Sequence, residues 1–401
     1  MTQYISVKDA TRLILPHLNL VANIEQVGLD AAAGRVLAQS VSAPRDWPPF
    51  RRAAMDGYAF RAQETPGTLH VVGTLFAGQT WPTPVNPGEA LRIMTGAPVP
   101  LELDTVLEQE AVQAGDNIAV LKPVKPDRNI MAQGHEYQAH TPILAEGTRL
   151  TPIALGQLAG LGLNRVAVRP KPKILIIVTG DEVLKPGAPL SPGHIYDASG
   201  PLIKSLAEEL GAYVKLRYIH DSKRRLLQAL KEAHESFNLV ITTGSVSVGL
   251  RDYLPHLLEE HFQRLFWRVD MHPGKAMAAG VLRPGLPILA LSGNPGATLT
   301  GWYLIGAPII SALNRQAYEL KEVQGRLSHP YPKPTRETRY LKARFVQRPE
   351  GLNFDLAPNQ SADVLSSFAQ ADGLVIIPYG SPGQEAGQQL KGLLFPGKTV
   401  H

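Results

Sequence analysis

ILIIVTGDE, residues 174–182, is a β-branched, apolar run stopped by a polar turn that contains glycine. Two further stretches have the same build: LVITTGSVSVG at residues 239–249 and LPILALSGNPGAT at residues 286–298. A short unbroken apolar run reads as a strand buried on both faces of a parallel sheet, and ligands of such sheets gather where the strands end. The three runs therefore predict three strand ends around one cleft. Glycine lets backbone approach a ligand closely, and successive backbone N–H groups in such turns favour anions, so phosphate or another oxyanion is the expected guest. Carboxylates in the same turns suggest a cation beside it.

Outward from these runs, helical patterns at residues 201–210, 223–235 and 253–262 separate strand from strand, as a βαβ sheet requires. Residues 44–140 have a different texture, in which HVVGTLF (70–76), DTVLEQEAV (104–112) and NIAVLKP (117–123) alternate with Pro/Gly turns. On either side the pattern is helical: Val7, Ala10, Leu13 and Ile14 share one face, residues 25–40 add a second amphipathic stretch, and ALGQLAGLGLNRV follows within 141–170. Beyond residue 325, RYLKARF, LNFDLA and GLVIIPY read as strands again. The expected architecture is a multidomain α/β protein. A helical framework (1–43 plus 141–170) carries an inserted β-rich domain (44–140). A central α/β domain with a mostly parallel sheet (171–325) and a small C-terminal β domain (326–401) follow.

Composition agrees with several domains, since 401 residues exceed one core at roughly 100 to 200 residues per domain. A net charge of +5 from 40 basic and 35 acidic residues, with no dense Lys/Arg block, gives little support for nucleic-acid binding. No cysteine means no disulfide and no thiolate metal site. The N-terminus lacks a signal-peptide core, and the most apolar long segment, residues 300–313, is shorter than the ~20 residues that span a bilayer. A cytoplasmic protein is expected. The glycines at 244 and 249 have P-loop spacing, but Leu250 and Arg251 stand where Lys and Ser/Thr are needed, and the G-x-G-x-x-G spacing is missing. A kinase or a dehydrogenase is therefore disfavoured.

PPFRRAAMDGYAF (48–60), RIMTGAPVP (92–100), GHIYDASGPLI (193–203), HPGKAMAAGVL (272–282) and SADVLSSFAQADGLVIIP (361–378) join the three strand-turn runs in one order along the chain. In that order the chain resembles the MoeA family, the molybdopterin molybdenumtransferases that also include the C-terminal domain of gephyrin. The resemblance implies four domains and an elongated homodimer, with the α/β cleft facing a neighbouring subunit's β-domain. It implies a reaction too: molybdate enters the dithiolene of adenylated molybdopterin, supplied by a molybdopterin adenylyltransferase, with Mg²⁺ present and AMP released.

By motif position the resemblance implies Asp56, Glu182, Asp221 and Asp252 as catalytic carboxylates and magnesium ligands, hard oxygen donors that suit this ion. Candidates for substrate binding are Thr95, Glu136, Thr179, Gly180, Thr243, Gly244, Ser245, Ser247, Gly249, Arg268, His272, Gly274, Lys275 and Ser361. Ser292, Gly293, Asn294 and Pro295 complete the set, with residues 292–296 expected to donate backbone N–H groups to molybdate. Local roles stay open beside these: Asp56 as a turn former before Gly57, Asp221 as a helix N-cap, Asp252 as a partner of Arg251, and Lys275 as a plain turn lysine. Against the family pattern, Ser245 replaces a glycine, His272 and Arg268 replace lysines, Glu136 replaces an aspartate and Ser292 replaces a proline. These changes point to a divergent paralogue. A non-catalytic molybdopterin- or molybdate-binding protein and, less favoured, a gephyrin-like scaffold are the alternatives.

Overall fold

The computed structural model describes residues 4–20, 23–114, 117–244, 246, 260–282 and 285–401. The chain divides into two compact units: Met1–Glu25 with Gly34–Val36 and Arg169–His401, and Gln26–Ala33 with Leu37–Val168.

The first unit is built on a six-stranded sheet in the order Tyr213–Ile219, Lys173–Thr179, Leu239–Thr243, Leu286–Leu291, Ala278–Leu282, Phe262–Trp267. The first four strands run parallel, Ala278–Leu282 runs antiparallel to them, and Phe262–Trp267 pairs antiparallel with it in turn. Burial on both faces explains why residues 174–178, 239–241 and 288–291 of the central strands are apolar at every position. Ile174, Ile176 and Val178 point into one core with Leu239, Ile241, Leu289 and Leu291, whereas Leu175 and Ile177 point into another with Val240, Ile288 and Ala290. Each such side chain contributes roughly 1.5–3 kcal/mol by leaving water. Helices Ser199–Glu209 and Val7–Ile14 cover the first face, and Lys223–Ala233 covers the second.

Pro295–Leu313 is a continuous helical run of 19 residues, longer than the sequence suggested and apolar enough to cross a membrane, but 78% of its most apolar window is buried in the same core. Pro308 offers no N–H to the carbonyl of Leu304, and the run widens to a π turn over Trp302–Gly306. Five strands after it, Lys321–Leu327, Gly351–Leu356, Arg339–Arg348, Gly373–Ile377 and Gln389–Leu394, close a small barrel. Its centre is the Phe345–Phe354 pair, 4.7 Å apart, seated against Gly392, where any side chain would collide with both rings.

The second unit holds a six-stranded sheet in the order Thr105–Glu108, Gly57–Phe60, Glu89–Ile93, Gly67–Leu75, Asn117–Val120, Gln113–Ala114. Two expectations fail around it. Residues 25–40 are not a helix: Glu25–Gly28 is a strand beside Arg165–Val168, Leu29–Ala31 is a single tight turn, and Gly34 adopts φ +71°. Gly28 and Gly34 weaken a helix across this stretch, and strand pairing supplies the backbone partners instead. Nor does Val7–Ile14 pack beside residues 141–170. Ala10 and Ile14, fully buried, belong to the α/β core, leaving Pro152–Gly160 as the one α-helix of the second unit's described residues.

Candidate active site

At the carboxyl ends of the parallel strands lies a cleft of about 620 Å³. Thr179, Gly180 and Glu182 enter it from the first strand-turn run, Thr243 and Gly244 from the second, and Gly293, Asn294 and Pro295 from the third. Asp221, just beyond the edge strand Tyr213–Ile219, joins them. The turns are interlocked. The Thr179 hydroxyl donates to the Thr243 carbonyl at 3.2 Å, and Gly244 N–H donates to the Leu291 carbonyl at 3.3 Å. Gly180 takes φ +127°, and the Glu182 carboxylate folds back over it, while the Glu182 carbonyl accepts from Ile195 N–H at 2.8 Å. Asp221 is not the cap of the helix after it. Ser222 has that role, accepting from Arg225 N–H, and Asp221 N–H is held by the Asp181 carboxylate at 3.0 Å.

Ile195, Tyr196, Asp197 and Ser199 of the segment IYDASG, to which the sequence assigned no role, form one wall of the cleft. Asp197, only 7% exposed, accepts from Gly200 N–H at 3.0 Å and from the Tyr218 hydroxyl at 3.1 Å. Burial, and then that carboxylate, push the Tyr218 phenol up to about 12. The Ser199 hydroxyl reaches the Gly293 carbonyl at 3.3 Å, tying the start of Ser199–Glu209 to the third turn. The legible signal was an acid and a serine opening a helix after a Gly/Pro loop.

The third turn departs from expectation. N–H groups of Gly296 and Ala297 donate to the Ala362 carbonyl at 2.8 and 3.2 Å, so the Gly296 N–H expected to serve molybdate already has a partner. A carbonyl from the barrel side satisfies this helix start. Ser361, beside Ala362, is absent from the cleft lining; its carbonyl accepts from Lys342 Nζ at 3.0 Å and its hydroxyl contacts Asp363, which does line the cleft. The Ser361 hydroxyl bond is the main reason the Asp363 carboxyl titrates below the usual range. Lys342 is 1% exposed, and burial lowers its pKa.

Arg268, His272, Gly274 and Lys275 do not line the cleft; they form a separate basic cluster of the same unit. Gly274, at φ +104°, lies against the Ala297 carbonyl, which places this loop beside the helix start at Pro295. Lys275 contacts Glu337 and sits 4.4 Å over the Tyr4 ring, and Arg268 covers Trp267 at 4.9 Å. Burial is the first cause holding the His272 imidazole below its ordinary value, followed by Arg339, with Glu337 at 3.7 Å opposing. The folded chain therefore resists protonating His272, whereas the unfolded chain protonates it near pH 6.5. Stability should fall as pH drops below about 6.5. Thermal melts of His272→Gln between pH 7 and 5 should show a smaller loss than wild type; an equal loss removes His272 as a source.

In the second unit, the MDGYA and MTGAP motifs meet. Thr95 donates its hydroxyl and its backbone N–H to Asp56 Oδ1 at 2.6 and 2.7 Å, and these bonds, the hydroxyl's first, hold the Asp56 carboxyl below the usual range. Glu136 is exposed, with its N–H donated to the Trp47 carbonyl at 3.0 Å. Ser245, Ser247, Gly249 and Asp252 lie outside the described residues. Of the four expected magnesium ligands, Glu182 and Asp221 share the cleft and Asp56 belongs to the other unit. Among the described residues no group of three or more His, Asp or Glu side chains forms a ready metal cage. Two hard carboxylates facing a phosphate-sized space suit an ion that keeps waters and takes further oxygens from a substrate.

Residues 175–312 match the family described as the probable molybdopterin binding domain, which sets the class of the α/β region. Residues 5–162 match the MoeA N-terminal region (domain I and II), and 324–395 match the MoeA C-terminal region (domain IV). The chain belongs to the MoeA family. It is 31% identical to a molybdopterin molybdenumtransferase of Staphylococcus epidermidis, covering 96% of this chain and 94% of that one. To its namesake in Bacillus subtilis it is 33% identical, covering 98% and 94%. A solved molybdopterin biosynthesis MoeA protein from Pyrococcus horikoshii superposes with a TM-score of 0.83 at 28% identity, over 98% of this chain and all of that one.

Proposed function

We propose that this chain is a transferase of molybdenum cofactor biosynthesis that inserts molybdate into the dithiolene of adenylated molybdopterin and releases AMP. The convergence of three glycine-bearing turns with Glu182 and Asp221 in one cleft carries the reading. Gly180, Gly244 and Gly293 let the three turns approach one another closely around a space for a pyrophosphate, and Ile195, Tyr196 and Val183 offer an apolar wall for a flat pterin ring. With no cysteine in the chain, the thiolates that bind molybdenum are the substrate's own. In that exchange one molybdate oxygen leaves as water with the two thiol protons, molybdenum keeps its oxidation state, and a water cleaves the phosphoanhydride to free AMP.

Glu182 and Asp221 would hold Mg²⁺, and Asp252 belongs to the same proposed set with Asp56. When bound, the ion would offset charge developing on the leaving phosphate. Thr179 and Asp181 keep the two carboxylates' backbones in place, the first by closing the turn before Glu182 and the second by holding Asp221 N–H. A homodimer, a cytoplasmic setting and an adenylyltransferase that hands over the substrate complete the reading.

AMP release from adenylated molybdopterin tests it. Release that requires both molybdate and Mg²⁺, and that disappears in Asp56→Ala, is the expected result. Tight substrate binding with no AMP under any condition would replace the enzyme by a binding protein, the reading that holds if His272 and Ser245 weaken the site.

A further inference from the structure

The basic cluster carries its own counter-ion. Lys275 Nζ contacts Oε1 of Glu337, while His272 Nδ1 stands 3.7 Å from Oε2. Arg339 and Lys333 act on His272 from the barrel side, and Arg268 acts with Lys275 to pull the Tyr4 phenol below its ordinary value. Two basic groups, Lys275 and His272, thus face one carboxylate, with Arg339 and Lys333 acting on His272 behind them. Asp270, close by, has both oxygens committed to Thr338, at 3.1 Å to the N–H and 2.8 Å to the hydroxyl.

The backbone of Glu337 is pinned independently of its carboxylate, which is held by Lys275 and His272. Thr335 accepts from Glu337 N–H at 3.1 Å and donates to its carbonyl at 2.7 Å, and His272 N–H donates to the neighbouring Thr338 carbonyl at 2.9 Å. Tyr4 is fixed in the same way, because Ile5 pairs with Val269 and its carbonyl accepts from Asp270 N–H at 2.8 Å. A side-chain rotation of Glu337 would bare Lys275 between Tyr4 and His272 without moving the chain. The Lys275–Glu337 pair is itself partly solvated, with 33% and 21% of the two side chains exposed, so it is a weak hold.

We propose that Glu337 is a displaceable internal counter-ion that covers Lys275 in the unliganded chain and is replaced there by a divalent tetrahedral oxyanion. This rests on the reading of Lys275 as a substrate-anion contact. The carboxylate acts as a threshold: a ligand must displace Glu337 to reach Lys275, and a dianion gains more from that ammonium than a monovalent anion does. It lowers the apparent affinity of every anion at Lys275 by the same factor, and so sets how much ligand is needed rather than which dianion binds.

Equilibrium dialysis of molybdate against the full chain at low salt tests this, with wild type, Glu337→Gln, Glu337→Ala, Lys275→Met and the Glu337→Gln/Lys275→Met double variant. If Glu337 covers Lys275 about nine-tenths of the time, both Glu337 variants should bind molybdate roughly tenfold more tightly. The double variant should show no such gain over Lys275→Met. A role for Glu337 in folding alone predicts equal or weaker binding. Equal or weaker binding by folded Glu337→Gln, with a loss in Lys275→Met, overturns the counter-ion while leaving the anion contact standing. Binding indifferent to Lys275 in every variant overturns the anion contact and the counter-ion with it.

Discussion

Glu182→Gln should lower AMP release by about two orders of magnitude, the scale at which one lost charge-stabilising group at a reacting centre is felt. The change keeps the volume and the hydrogen-bonding reach of the side chain and removes its charge. The turn itself should survive, because it is built by Gly180 at φ +127° and by the Glu182 carbonyl on Ile195 N–H, neither of which needs the carboxylate. The loss should therefore appear in the rate and in the Mg²⁺ needed for half-maximal release, with substrate binding changed less. Asp221→Asn should do the same, and if the two carboxylates share one ion the double variant should be little worse than either single one. Asp181→Asn, which loosens the hold on Asp221 N–H and the contact with His220, should cost less than both. A wild-type rate for Glu182→Gln at every Mg²⁺ concentration would remove Glu182 from the chemistry.

What could be read from the sequence was whatever has a local cause. Residues 174–178, 239–241 and 288–291 are apolar at every position because both faces of the sheet are covered, and that continuity is visible in one dimension. Three of the five barrel strands and the helices starting at Ser199 and Lys223 were legible for similar reasons, while Lys321–Leu327 and Gln389–Leu394 were not read. Residues 25–40 were not, since Leu29, Val36 and Leu37 sit at helical spacing while the partners that make Glu25–Gly28 a strand lie near residue 165. The candidate site divides in the same way. Glycine turns and carboxylates could be named from motif position, but pairing across distance could not: Ala362 satisfying Gly296, Tyr218 holding Asp197, and Glu337 covering Lys275 join residues 21 to 66 positions apart. The sequence shows a lysine after Pro-Gly; only the fold shows the acid against it.

Gly244→Ala should destabilise the first unit by about 2 kcal/mol or more and abolish most of the activity, for two separable reasons. Gly244 adopts φ +90°, a conformation that costs an L-residue roughly 1–2 kcal/mol. A Cβ there would also stand 2.9 Å from the Thr179 hydroxyl and 3.0 Å from the Thr179 carbonyl oxygen. Neither atom can yield cheaply, since the carbonyl is backbone and the hydroxyl is bonded to Thr243. Relief requires the first and second turns to part, and Gly244 also faces Gly293, so the third turn would be disturbed with them. Gly78→Ala is the matched control: its φ is +82°, but a Cβ there meets nothing within 4 Å. It should lose only the conformational part of the stability and retain AMP release. Were Gly244→Ala to melt no lower than Gly78→Ala and to release AMP at the wild-type rate, the close approach of the three turns would not be what the reaction depends on.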